Sequence, residues 1–232
     1  MKATTLFVAG ASVAAFALPT AAQSAEARFA VLVPGVQANA RVPDEFTFCR
    51  PSATGHVVSG GDLSLPVRWA PGPVGTRSYA ISMTDADVPK DASPVNKEGS
   101  VIPSSAPRTV FYHWLLADIP ADRHELRKGE DSTAVVPRGK PAGPAGAGRR
   151  GVNDYTGFLA SDPQMAGTYA GYDGPCPPWN DLAVHHYTLT VYALDTPHLA
   201  VPDPFDGNSF EVALRGHVLA RGSTTMTYTT HR

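Results

Sequence analysis

The sequence is short of charge, of cysteine and of helical periodicity, and each shortage narrows what the chain can be. Only 17% of its 232 residues are charged, and 19 basic residues face 21 acidic ones for a formal net charge of −2. No block of lysine and arginine occurs, which argues against electrostatically driven binding to nucleic acid. The two cysteines, Cys49 and Cys176, are far apart and neither belongs to a Cys-x-x-Cys pair, so a zinc ribbon and a thioredoxin-type motif are excluded. Beyond the N-terminus no apolar run approaches the ~20 residues that span a bilayer, and no integral membrane segment is expected in the mature chain. Glycine (21) and proline (22) are instead abundant, above ordinary usages of about 7% and 5%. Short strands joined by many turns fit that composition better than a helical bundle.

The N-terminus has its own pattern. Lys2 precedes an apolar and small-residue run from Leu6 to Leu18, Pro19 breaks it, and Thr20-Ala21-Ala22 and Ala25-Glu26-Ala27 are small-x-small cleavage sites. This is the pattern of a secretory signal peptide over residues 1–27. The remainder, 28–232, is expected to be a single domain, periplasmic or secreted. In an oxidising compartment Cys49 and Cys176 are expected to form one long-range disulfide, the alternative being two buried free thiols.

Along the mature chain two-residue alternation is commoner than helical spacing. Asp62–Trp69, Arg77–Asp85 and His186–Leu194 alternate apolar and polar positions as half-buried strands do. Thr109–Ile119 is more continuously apolar and aromatic, as in a central strand, and Thr224–Thr230 is more polar, as at an edge. One helix is expected near the C-terminus, with Asn208 as N-cap, Glu211 three residues on, Phe210, Leu214 and Val218 on one face, and Gly222 as its stop. A shorter helical turn is expected within Ala121–Lys128. The segment 137–151, rich in Gly and Pro, reads as a flexible surface loop, with similar strand patterns on both sides.

Chemistry-bearing residues gather at strand ends. Asp85 and Asp87 lie in Thr84-Asp85-Ala86-Asp87-Val88-Pro89, and His113 lies in Phe111-Tyr112-His113-Trp114. His185, His186 and Tyr187 follow the turn Gly174-Pro175-Cys176-Pro177-Pro178. A histidine inside an apolar strand is costly unless its ring nitrogens find partners. An Asp-x-Asp at a strand end is by itself a turn signal.

The order of these segments resembles the phosphatidylethanolamine-binding protein family, in particular its bacterial Raf-kinase-inhibitor-like branch. The matching segments are Asp85-Ala86-Asp87-Val88-Pro89, His113-Trp114, Gly151-Val152-Asn153, Gly174–Pro178, His185-His186-Tyr187 and Gly216–Ala220, over roughly 40–230. Cys49 is followed by Arg50-Pro51 where bacterial members carry Cys-Asp-Gly, and nothing corresponds to the C-terminal helix that gates the pocket of mammalian members. Kinase inhibition is therefore not carried over, and no protein target is named. The resemblance implies an antiparallel Greek-key β-sandwich, mainly β, with a few short peripheral helices. It also implies a small anion pocket for phosphate, phosphorylated small ligands or lipid head groups, built from Asp85, Asp87, His113, Gly174, His185 and Tyr187, with no cofactor. Imidazole and phenol groups would donate to phosphoryl oxygens, Asp85 would hold a histidine protonated, and backbone N–H groups at Gly174 would add donors.

Three functional classes follow. The leading one is a non-enzymatic binding or inhibitory module. A hydrolase using His113, His185 and Asp85 is the alternative, without a Gly-x-Ser-x-Gly elbow to support it. A metal site of two histidines and a carboxylate lacks a His-x-His or His-x3-His pair. A cis bond at Val88–Pro89 is expected to turn both aspartates into the pocket. Binding is expected to weaken as pH rises through the histidine range, and His186 is expected to face away from the site.

Overall fold

The computed structural model describes Met1 and residues 29–231; the signal peptide expected over 1–27 falls, Met1 aside, outside them. The strands are β1 (Val31–Leu32), β2 (Cys49–Pro51), β3 (Val57–Ser59), β4 (Val67–Trp69), β5 (Ser78–Pro89), β6 (Arg108–Pro120), β7 (Glu125–Leu126), β8 (Gly143–Ala145), β9 (Gly148–Arg150), β10 (His185–Leu194) and β11 (Val218–Tyr228). Helices α1 (Tyr155–Phe158) and α2 (Gly207–Leu214) are short. A six-stranded antiparallel sheet runs β11-β10-β5-β6-β9-β8, a three-stranded sheet runs β1-β4-β7, and β2 pairs with β3. Among the described residues no helix is long and apolar enough to cross a membrane.

Alternation decides how the layers pack. On one face of the large sheet Tyr79, Ile81, Met83, Trp114, Leu116, Leu189 and Val191 meet Leu65, Val67, Trp69 and Leu126 around the small sheet. On the other face Ala80, Leu115, Ala117, Tyr192 and Leu194 bury Leu199, Phe205, Phe210 and Leu214, the last two from α2. β6 is continuously apolar over Trp114–Ala117, where both of its faces are covered. At ~25 cal/mol per Å2, burial of such side chains supplies most of what holds the layers together.

Several elements differ from the sequence reading. Of Asp62–Trp69 only Val67–Trp69 pairs as a strand, because Pro66 has no N–H to donate and Asp62 sits at φ +47°. Helix α2 is capped by Asp206, whose side chain accepts from the Ser209 N–H in a capping box, and not by Asn208. It ends at Leu214 with Gly216 at φ +82°, so Gly222 is no stop and Val218 opens β11. Residues 121–128 form turns and β7 in place of a helical turn. The segment 137–151 contains the β8–β9 hairpin, which extends the large sheet from β6. β11 is the edge strand, and residues 39–42 run along its outer side, with Val42 N donating to Thr227 O and Thr227 N donating to Ala40 O.

Two covalent expectations have opposite outcomes. Cys49 and Cys176 form a disulfide, with Cα atoms 5.0 Å apart. Val88–Pro89 is not cis; among the described residues the cis bond is Asp203–Pro204. No chain reversal occurs at Pro89, which continues β5 and pairs in register with Arg108.

Candidate functional site

Two irregularities in the β5–β6 ladder build the site. Met83 pairs with Trp114 but Thr84 pairs with Tyr112, so His113 is an extra residue in β6. Such a bulge re-aims a side chain, and it turns His113 toward the end of the sheet face that carries Asp85 and Tyr187. A second irregularity falls between Asp85 and Val88, which pair with Phe111 and Thr109. It swings Asp87 out of phase with Asp85. Asp87 accepts from the backbone N–H of His186 at 2.8 Å and meets His186 Nδ1 at 2.9 Å on the outer side.

The resulting cavity, about 60 Å3, is lined by Asp85, His113, His185, Tyr187 and Tyr155 among apolar side chains that include Phe111, Phe158, Pro177 and Pro178. Asp85, His113, His185 and Tyr187 are thus brought together, whereas Asp87 and Gly174 do not line it. Gly174 stands one layer back. Its N–H donates to Asp62 Oδ1 at 2.7 Å and its carbonyl accepts from the Tyr155 hydroxyl at 2.8 Å, so its amide is not free for an anion. A Cβ there would clash with the Phe46 carbonyl.

Hydrogen bonding decides which groups remain open. Asp85 Oδ1 accepts from the Asp87 N–H and Oδ2 meets His185 Nδ1 at 2.7 Å. His185 Nε2 meets Asp181 Oδ2 at 3.2 Å, and Arg108 grips Asp181 with both terminal nitrogens, at 2.5 and 3.1 Å. His185 is therefore an imidazole held between two carboxylates, and the row Asp85–His185–Asp181–Arg108 alternates in sign. Burial opposes the charge on His185, but the hydrogen bonds and charges of Asp85 and Asp181 outweigh it and raise its pKa. For Asp181, burial is likewise outweighed, by the Arg108 guanidinium first, and the carboxyl is held below its ordinary value.

His113 behaves oppositely. Its Nδ1 donates to the Asp173 carbonyl at 2.9 Å, and burial pushes its pKa down despite the nearby Asp85 charge. The ring is then neutral at pH 7, with Nε2 bearing the lone pair. The hydroxyl of fully buried Tyr187 has no hydrogen-bond partner among the described residues. Burial and the Asp85 carboxylate keep its proton on. An unpaired buried hydroxyl is unfavourable by ~1–3 kcal/mol; Trp69 Nε1 and Arg149 Nε lack a hydrogen-bond partner as well, but of the three side chains only Tyr187 lines the cavity.

Sequence reasoning missed Arg108, Asp181 and the Asp173 carbonyl. Asp181 lies four residues before His185, but in a Pro-rich turn no periodicity connects them. The Arg108 guanidinium reaches Asp181 only because the strand start and the turn meet in space. Among the described residues no group of three or more His, Cys, Asp or Glu is arranged to hold a metal ion.

Comparison with known proteins follows the same lines. The family model for phosphatidylethanolamine-binding protein matches residues 33–229. The chain is 31% identical over 172 residues to the UPF0098 protein YbcL of Escherichia coli K12, covering 72% of this chain and 71% of YbcL. It is 28% identical over 167 residues to a UPF0098 protein of Aquifex aeolicus, covering 72% and 74%. The crystal structure of E. coli YbcL, described as a new member of the mammalian PEBP family, matches with a TM-score of 0.61 and 25% identity, over 88% of this chain and 99% of that one. A putative homolog from Chlamydia trachomatis matches in fold, with a TM-score of 0.55 and 19% identity, over 85% and 95%.

Proposed function

From the premise that the chain belongs to the phosphatidylethanolamine-binding protein family, we propose that its cavity is a non-catalytic binding site for one small oxyacid group, such as phosphate, a phosphorylated small ligand or a lipid head group. The observation that carries this reading is that Tyr187 Oη and His113 Nε2, polar atoms without a partner among the described residues, belong to side chains that line the cavity beside Asp85 and His185. A water needs roughly 10–15 Å3 of such space. The 60 Å3 cavity therefore suits a group of roughly four to six heavy atoms by the same measure, the size of a phosphoryl group and too small for a whole lipid. Tyr187 donates to an anionic oxygen. His113 donates from Nε2 when protonated, or accepts from an acid that brings its own proton.

His185 serves as a support. With both ring nitrogens on carboxylates it fixes Asp85 and the turn through Asp181, in place of the direct contact expected from the sequence. Against the hydrolase alternative, the cavity lining holds no serine, threonine or lysine among the described residues, and Cys176 is in the disulfide. The same disulfide supports an oxidising compartment, in keeping with a periplasmic or secreted protein.

Calorimetric titration with phosphoethanolamine and with inorganic phosphate tests the reading. Expected affinities lie between about micromolar and millimolar, or ~8 to ~4 kcal/mol, and are higher at pH 5.5 than at pH 8. Equal affinity for both ligands assigns the site to the phosphoryl group alone, and a preference for phosphoethanolamine assigns it to the head group. No binding at pH 5.5, or release of phosphate from phosphoethanolamine, would overturn it.

A further inference from the structure

Behind the cavity wall lies a second cluster with no part in ligand contact. Lys140 is buried, and its Nζ sits 2.6 Å from Asp173 Oδ1 and 3.8 Å from Asp62 Oδ2. Both carboxyl side chains are fully shielded from solvent. Asp173 Oδ2 accepts from Asn153 Nδ2 at 2.7 Å, and Asp62 Oδ2 accepts from the Ser132 hydroxyl at 3.0 Å. Gly139 admits this arrangement: at φ +79° it presses on the Thr168 backbone, leaving no room for a Cβ, and so seats Lys140 inward. Asp62 is held at φ +47°, a left-handed conformation unfavourable for a non-glycine residue by ~1–3 kcal/mol. Two carboxyls thus face one lysine out of water, Asp173 in contact and Asp62 beside it.

We propose that Lys140 and Asp173 condense to an intramolecular isopeptide bond, with Asp62 carrying the proton between them. Burial and the mutual repulsion of the two carboxylates push Asp62 well above its ordinary value. Burial raises Asp173 too, although Lys140 opposes it. Burial and the contact between two carboxyls thus both favour a proton on one of the pair. Proton transfer from Nζ to the second carboxylate gives a free amine beside a carboxylic acid, a form that a low-dielectric site favours over an ion pair.

The amine lone pair then forms the Nζ–Cγ bond of Asp173 while the C=O electron pair moves onto Oδ2. There the Asn153 amide already donates, in the manner of an oxyanion-hole donor. Asp62 gives its own proton to the protonated Oδ1, which leaves as water when the C=O bond reforms, and takes one proton from Nζ in exchange. Amine plus carboxylic acid give amide plus water, Asp62 ends as it began, and no oxidant or other reactant is needed. Holding the partners in contact is equivalent to effective concentrations of ~10^5–10^8 M, and exclusion of water protects the amide from hydrolysis. The bond would fasten the 137–151 segment to the residue whose carbonyl orients His113.

The test is the intact mass of the mature chain, reduced and unfolded, against Lys140→Arg and Asp62→Asn variants purified in the same way. The wild type is expected to be lighter by one water than its residues require, and a protease digest to yield one fragment uniting the peptides of Lys140 and Asp173. Both variants are expected at their full residue mass, and circular dichroism reports whether each is folded. If Lys140→Arg fails to fold, the wild-type mass and digest still decide. A wild-type chain at full residue mass overturns the bond, and a linked Asp62→Asn chain overturns the role of Asp62. The mass readout is independent of ligand binding, so it stands apart from the phosphoethanolamine titration.

Discussion

Replacing Tyr187 with Phe should move stability and binding in opposite directions. The ring is fully buried and packs edge-on against His113 at 5.2 Å between centroids, so Phe keeps the packing and removes one oxygen. In the ligand-free protein that oxygen has no hydrogen-bond partner among the described residues, and removing it recovers up to ~1–3 kcal/mol of desolvation cost. For a chain of this length each kcal/mol raises Tm by roughly 2–4 °C, so a rise of several degrees is expected by calorimetry without ligand. The same oxygen is the donor proposed for the bound oxyanion, and a hydrogen bond to a charged group is worth ~1.5–3 kcal/mol. Phosphoethanolamine affinity should therefore fall about ten- to a hundredfold, at ~1.4 kcal/mol per factor of ten. A variant that is less stable than the wild type would mean that the hydroxyl is satisfied within the protein. Unchanged affinity would mean that it does not meet the ligand.

Other perturbations have equally definite signs. Replacing both cysteines with Ala should lower stability by about 5 kcal/mol, the chain-entropy value for so long a loop, given a separation of 127 residues. A loss under 1 kcal/mol in urea unfolding would contradict that account. Because the folded-state pKa of His185 is raised, its stabilising contribution is complete below the unfolded value of about 6.5. It is lost as pH rises through the folded value. The wild type should therefore lose stability relative to His185→Gln between neutral and alkaline pH, and a gain over that range would refute the charged-bridge geometry. His113→Ala should reduce phosphate binding, while His186→Ala, on the outer side with Asp87, should leave it unchanged in NMR titration. Equal effects of the two would misplace the cavity. Because burial depresses His113, the gain in affinity on acidification should centre below ~6.5; a midpoint above that value would identify another group.

The sequence by itself determined the class of fold, and it singled out four residues, Asp85, His113, His185 and Tyr187, that line one cavity. Period-two alternation in Arg77–Asp85 and His186–Leu194, and the doubly apolar run at Thr109–Ile119, specify three strands, because burial of one or both faces writes itself into residue order. The two cysteines and the export pattern pointed to the disulfide for a chemical reason. Only the tertiary structure decided which polar atoms are open. A single extra residue at His113 and a register shift after Asp85 reverse what strict alternation implies for His113 and Asp87, and bulges leave no signature in period or propensity. The roles of Arg108, Asp181, Lys140 and Asp62 depend on contacts across 73, 33 and 70 positions of sequence. A buried charge is stabilised by whichever partner the fold brings within 3 Å, and that partner is set by packing, not by distance along the chain.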